Sequence, residues 1–142
     1  MTTDTNASDD RLARFAAIDV AALEARAGEL GRGAAVAEAS PKLTGRSRRH
    51  LRGLAHALKP LVYVGHQGAT PGLAAAIDDA LASHELIKVK LQENAPIDQR
   101  TLALWIHATT GAQVAQIIGR TCVAYRPDAE KPRIKLPRGE AV

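Results

Sequence analysis

The apolar positions between residues 42 and 125 change period several times, and each change predicts an element. Leu51, Leu54, Ala55 and Leu58 fall at i, i+3, i+4 and i+7. That spacing predicts an amphipathic helix, opened by Thr44 as N-cap and ended by Lys59-Pro60. Leu61 to Val64 is a short run apolar on both faces, the pattern of a strand in a central, covered position. Thr70-Pro71 starts a second helix, with Leu73, Ile77, Ala80 and Leu81 turned inward, which ends near His84. Leu86 to Leu91 alternates: Ile87, Val89 and Leu91 share one face, and Lys88 and Lys90 the other. This predicts a strand with one buried side. Pro96 to Thr109 reads as a third helix carrying Ile97, Leu102, Trp105 and Ile106, stopped by Gly111. Gln113 to Ile118 and Thr121 to Tyr125 are two strands joined tightly at Gly119-Arg120, an antiparallel hairpin.

The order helix–strand–helix–strand–helix–strand–strand defines an α/β (α+β) unit of two layers, a four-stranded mixed sheet with helices packed on it. Its strand–helix–strand units favour parallel pairing, and the closing hairpin adds an antiparallel strand. Ahead of this unit, Leu12, Phe15, Ile18 and Leu23 have only loose helical spacing, and Gly28, Gly31 and Gly33 interrupt it. Residues 1–40 are therefore expected to be an acidic, Ala-rich extension, a weak helix or disordered, with a flexible linker ending near Ser40-Pro41. A helix packed on the domain is the alternative. The folded domain is expected over residues 41–137, with 138–142 a flexible tail.

Composition sharpens this picture. The 142 residues are 46% apolar but only 3% aromatic, so the core is aliphatic. Phe15, Tyr63, Trp105 and Tyr125 are the only aromatic side chains, and most are expected to be buried. That argues against modules that stack bases on exposed rings. Net charge is +4 and unevenly placed. Residues 1–40 carry 4 Lys/Arg against 7 Asp/Glu, and residues 41–142 carry 15 against 8. A basic domain behind an acidic leader fits a polyanionic partner. The single cysteine, Cys122, excludes an intramolecular disulfide and reads as core. The start Met1-Thr2-Thr3-Asp4-Thr5 lacks the basic and apolar regions of a signal peptide, and no apolar run is long enough to span a bilayer. The expectation is a soluble, cytoplasmic protein with no membrane partner.

The densest chemical signal is the junction Val62-Tyr63-Val64-Gly65-His66-Gln67-Gly68-Ala69-Thr70-Pro71, where a strand enters a G-x-x-G turn that opens a helix. Glycines let a ligand approach the backbone, and the helix start adds free amides and partial positive charge. Gly65, His66, Gln67 and Gly68 are thus candidates for contact with a sugar-phosphate backbone, although an ordinary strand-to-helix turn has the same outline. Gly-Lys-Ser/Thr is missing, so this is no P-loop, and no full dinucleotide fingerprint is present. Just upstream, Arg46, Arg48, Arg49 and Arg52 crowd one helix, with no acidic residue between Lys42 and Lys59. Those cations repel one another unless a polyanion arrives; a merely solvated face is the plainer reading. Lys88 and Lys90 share a strand face and extend the cationic set. The histidines at 50, 56, 66, 84 and 107 form no ligand cluster, and no nucleophile–base–acid spacing emerges. Neither a metal, a cofactor, a small-molecule substrate nor a catalytic residue is expected.

The segments Leu43-Thr44-Gly45-Arg46-Ser47-Arg48-Arg49-His50-Leu51-Arg52, Leu58-Lys59-Pro60, Val64-Gly65-His66-Gln67-Gly68, His84-Glu85-Leu86-Ile87-Lys88-Val89-Lys90, Ile117-Ile118-Gly119-Arg120 and Tyr125-Arg126-Pro127 resemble the CRM domain, named for chloroplast RNA splicing and ribosome maturation. The likeness is greatest to stand-alone bacterial YhbY-like members and covers roughly residues 42–137. It implies a fold similar to the C-terminal domain of a translation initiation factor. It also implies an RNA-binding protein, linked in bacteria to ribosomal RNA in large-subunit precursors during ribosome assembly, with the family loop at Gly65 to Gly68. Family loops often carry Lys after the first Gly; His66 stands there instead. The acidic leader lies outside the resemblance. Rival expectations are a protein-interaction module of a ribonucleoprotein particle and, more remotely, a small phosphoryl-ligand enzyme.

Overall fold

The structure is a computed structural model and describes residues 3–137; the tail expected to be flexible at 138–142 lies outside the described residues. The domain begins with α4 (Gly45–Ala55), capped by Thr44, whose hydroxyl accepts the Ser47 N–H at 3.1 Å. Then follow β1 (Val62–Val64), α5 (Pro71–His84), β2 (Leu86–Leu91), α6 (Gln99–Thr110), β3 (Gln113–Ile118) and β4 (Thr121–Tyr125). Local signals set most ends. Thr70 accepts the Leu73 N–H at 3.1 Å ahead of Pro71, and Gly111 ends α6 at φ 75°. α6 starts three residues later than the apolar pattern predicts, because Asp98 caps it by accepting the Thr101 N–H at 2.9 Å.

The four strands form one mixed sheet in the order β1-β2-β4-β3. β1 and β2 are parallel, and both pairings of β4 are antiparallel. β4 thus lies between β2 and β3, and β1 lies at an edge. That corrects the central placement expected from the apolar run at Leu61 to Val64. Val62 and Val64 are buried, but Tyr63 is 51% exposed and Leu61 exposed. The apolar character of β1 serves one covered face only.

Each face of the sheet has its own core. On one, Val62, Val64, Ile87, Val89, Leu91, Val114, Ile117, Cys122 and Ala124 pack with Ile77 and Leu81 of α5 and with Leu102, Trp105 and Ile106 of α6. On the other, Leu86, Ala115, Val123 and Tyr125 meet Leu43 and Leu51 and Ala55 of α4, with Ile134 and Leu136 of the tail against them. Register irregularity between Val114 and Gln116 marks a β-bulge at Ala115, which lets the consecutive residues Ala115 and Gln116 both face the α4 side. Leu54 and Leu58, placed by periodicity on the inward face of the basic helix, are 43% and 38% exposed. α4 ends at Ala55, so Leu58 lies beyond the helix, while Leu54 stands beside the buried Ala55 on its outer side.

Residues 1–40 correct the expectation of a weak helix and flexible linker. They contain α1 (Thr3–Ala16), α2 (Val20–Ala27) and α3 (Arg32–Ala39). α1 packs on α5, α2 on α6, and α3 on α6 and β3. Phe15, Ala27, Ala35 and Ala39 are buried in the larger core. Two of the glycines read as linker are helix boundaries, Gly28 as the C-cap of α2 and Gly31 as the N-cap of α3, and Gly33 lies in the first turn of α3. Small alanines at i and i+4 let α3 come close to α6, a weak hydrophobic signal that still fills a core. Arg11 ties α1 down through Asp78 (3.1 Å) and Asp79 (2.7 Å) of α5.

Candidate nucleic-acid interface

The cationic residues of α4 form one wall of an open groove. Arg49, Arg52, Gly53 and His56 line it from the helix, and Lys88, Gln116 and Ile118 from the sheet. Arg46, Arg49 and Arg52 are exposed, and none of the ion pairs among the described residues engages them. No acidic residue stands in the first turn of α4. Cations there oppose the helix dipole, each at a cost of about 0.3–1 kcal/mol. An anion in the groove relieves the mutual repulsion of Arg49 and Arg52, which line it.

The other candidate cations are not equivalent. Arg48 is half-buried, and its Nη1 donates to Leu43 O at 2.9 Å and Ser40 Oγ at 3.3 Å. It holds the entry to α4 as well as facing a second cleft. Lys88 Nζ donates to Leu58 O at 2.9 Å, anchoring the chain that leaves α4. Lys90 is exposed. The second cleft, beside the first, brings Arg32 of α3 next to Arg48, Arg52 and Gln116. Sequence reasoning missed Arg32 because it sits in the otherwise acidic leader; only docking of α3 on β3 carries it to this surface.

The G-x-x-G turn borders a separate cleft lined by Tyr63, Gly65, His66, Gln67, Gly68, Thr70, Gly72 and Leu73. His66 and Gln67 are exposed at its tip. The turn closes through Gly68 N to Gly65 O at 3.0 Å. Gly68 is itself buried, at φ 69°, and a Cβ there would stand 2.7 Å from Pro96 Cγ. Its glycine requirement is therefore set by the fold first. Gly72, in the first turn of α5, faces open space. Pro71 has no N–H, the Leu73 amide donates to the Thr70 hydroxyl and the Ala74 amide to Thr70 O, so the Gly72 N–H is the first-turn amide left without an intrahelical acceptor. Gly72 thus leaves the helix start uncovered, a role the turn motif did not reveal.

Glu85 secures the remaining edge of the basic face. It is buried, with φ 61°, and accepts backbone N–H bonds from Asp128 (2.7 Å), Arg133 (3.0 Å) and Ile134 (3.0 Å). Burial pushes its carboxyl upward, but these bonds and the nearby Arg133 outweigh it and leave the group below the ordinary carboxylate range. The tail is thereby strapped over the smaller core instead of hanging loose. Asp78 binds Arg126 at 2.6 Å as well as Arg11. Burial pushes the Cys122 thiol up to about 12, with the Asp98 charge adding to it, so this sulfur is a poor nucleophile. Among the described residues no cluster of metal-ligating side chains occurs, and no helix is long and apolar enough to cross a membrane.

A mixed four-stranded sheet with a basic helix on one face and a G-x-x-G turn opening a helix at its edge defines a class of small α+β domain. The CRS1 / YhbY (CRM) domain matches residues 43–126, and the chain belongs to that family. A protein of Haemophilus influenzae named "RNA-binding protein" is 46% identical over 100 residues, 68% of this chain and 96% of that relative. "Probable RNA-binding protein YqeI" of Bacillus subtilis is 37% identical over 95 residues, covering 67% of this chain and 99% of its own. The solution structure of SAV1595 from Staphylococcus aureus is similar with a TM-score of 0.58 and 38% identity, over 67% of this chain and 99% of that one. α1, α2 and α3 lie outside the family match.

Proposed function

We propose that this chain is a non-enzymatic RNA-binding protein that holds RNA through its phosphates, and that its partner is ribosomal RNA in large-subunit precursors during assembly in the cytoplasm. The observation that carries the binding reading is the groove between α4 and the sheet. Arg49 and Arg52 face Lys88 across it, with no carboxylate among the lining residues. Arg46 extends the row, and Lys90 continues it on β2. The cleft at Gly65 to Gly68, with His66, Gln67 and the start of α5, gives a backbone a second place to approach. Relatives named as RNA-binding proteins support the same reading, and the resemblance to ribosome-maturation domains supports the choice of ribosomal RNA.

The test is binding to single-stranded RNA across a salt series. With about four phosphates neutralised, the log–log slope is expected to be roughly −3. Arg49→Glu with Arg52→Glu is expected to lower affinity on the order of 30-fold at low salt and to flatten the slope. A slope near zero in the unaltered chain overturns the phosphate mechanism. RNA recovered from native particles identifies the partner; recovery without ribosomal precursor RNA overturns the assembly role. The exposed Leu54 in the last turn of α4, with Leu58 and Leu61 after it, favours a second reading, a module that meets a protein within a ribonucleoprotein particle. RNA-free assemblies that retain this chain would support it.

A further inference from the structure

The smaller face of the sheet is covered at one end only. α4 and the tail pack over Leu86, Val123, Tyr125 and Ala115. Beyond them, one cross-strand row stays open. Tyr63 on β1 is the Cα partner of Lys90 on β2, Lys90 of Thr121 on β4, and Thr121 of Ile118 on β3. Their neighbours Val62, Val89, Cys122 and Ile117 pack in the opposite core, so these four share the α4 side. Tyr63 is 51% and Ile118 54% exposed, and Lys90 is exposed. Strand spacing makes the row roughly 14 Å long.

Each end of the row opens into a basic or amide-lined cleft. Tyr63 is a wall of the G-x-x-G cleft, which it shares with Gly72 and the start of α5. Ile118 is a wall of the α4 groove, which it shares with Arg49, Arg52 and Lys88. A phosphodiester chain seated in both clefts must pass over Tyr63 and Ile118. An aromatic ring beside a lysine, at half exposure and between two phosphate-compatible clefts, suits an unpaired base. A duplex keeps its base faces stacked internally and has no use for the ring. The composition argued against base stacking because the few aromatic residues were expected to be buried; Tyr63 is the one for which edge placement reverses that expectation.

Building on the RNA-binding reading above, we propose that the Tyr63–Lys90–Thr121–Ile118 row is a stacking platform for an unpaired base of single-stranded RNA, linking the two clefts into one track. The ring of Tyr63 takes the base face, Lys90 takes the adjoining phosphate, and Ile118 supports a base further along the strand. The platform makes the protein prefer single strands over duplexes of equal phosphate number.

The experiment measures the full chain against a ten-nucleotide oligouridylate, an abasic ribose-phosphate oligomer of equal length, and an RNA duplex. Tyr63→Leu is expected to lose about 5- to 150-fold on the oligouridylate and nothing on the abasic oligomer or the duplex. Tyr63→Phe is expected to bind as the unaltered chain does. Circular dichroism melts keep folding out of the comparison, and Leu preserves an apolar residue on the strand. Equal binding by Tyr63→Leu, or a loss that persists on the abasic oligomer, overturns the platform. Arg49→Glu with Arg52→Glu separates the two levels: if that variant loses affinity while Tyr63→Leu does not, RNA binding stands and the platform falls. Sedimentation is run alongside; a dimer of the unaltered chain that Tyr63→Leu dissociates assigns the row to a second copy and overturns the proposal.

Discussion

The two faces of the sheet are built by opposite strategies. One is closed by α5 and α6, and over these and the β3 edge by α1, α2 and α3, so that Phe15, Ala35 and Ala39 from the leader are buried with Trp105 and Ile106 of α6. The other carries a single short helix and a tail strap, leaving Tyr63, Lys90 and Ile118 in solvent beside arginines that no ion pair among the described residues engages. Stability is concentrated where chain beyond the family match thickens the covered face, and cations are concentrated where cover is thin. A small domain that must keep a charged, partly apolar surface open gains from a second layer elsewhere, because burial scales with the area removed from water. The placement also keeps α1 and α2 away from the basic face: they pack on α5 and α6, across the sheet from α4.

The largest break of this contrast comes from the closed face. Phe15→Ala removes a buried ring that joins the leader to the core and is expected to cost about 3–4 kcal/mol in urea unfolding. RNA affinity of the folded fraction should stay unchanged. A loss under about 1 kcal/mol would mean that α1 is only lightly docked.

A smaller effect is expected at the strap on the open face. Because the Glu85 carboxyl lies below its ordinary value when folded, its bonds stabilise the protein above the carboxylate range. That stability is lost as pH falls through the folded value. Glu85→Gln is expected to lose about 1.5 kcal/mol at neutral pH and to flatten the acid limb of the stability curve. Hydrogen exchange at the amides of Asp128, Arg133 and Ile134 reports the strap directly. An unchanged acid limb would remove Glu85 as its anchor.

The smallest effect sharpens the picture of the edge cleft. Gly72 faces open space, so Gly72→Leu is expected to fold normally and to weaken RNA binding roughly fivefold by covering the α5 start. Gly68 is unsuited to this test, since its φ of 69° and its closeness to Pro96 make any side chain a folding defect. Full affinity in a folded Gly72→Leu protein would leave the turn as a strand-to-helix connection alone.

Much of the fold was legible locally. The caps at Thr44 and Thr70-Pro71, the stop at Gly111, the alternation of β2 and the hairpin at Gly119-Arg120 all occur at the residues that signalled them. Each depends on interactions spanning only a few residues, and those are written in order along the chain. The α4 cations and the G-x-x-G turn were legible for the same reason, as short-range clusters of charge and backbone freedom. The place of Arg32 beside Arg48 and Arg52 was not legible, because it depends on α3 docking on β3, far along the chain.

What the sequence by itself determined is the order of elements, their ends, and which residues share a side of each strand or helix. Periodicity states that Val62 and Val64 lie opposite Tyr63; it does not state what covers either side. Only the tertiary structure decided that β4 inserts between β2 and β3, that β1 is left at the edge, and that three leader helices close one face. The physical reason is that covering a face is a contest between all segments able to bury it. Alanine-rich helices with little hydrophobic signal win that contest at α6 because small side chains allow close approach, whereas α4 packs over Leu86, Ala115, Val123 and Tyr125 and leaves Tyr63 exposed.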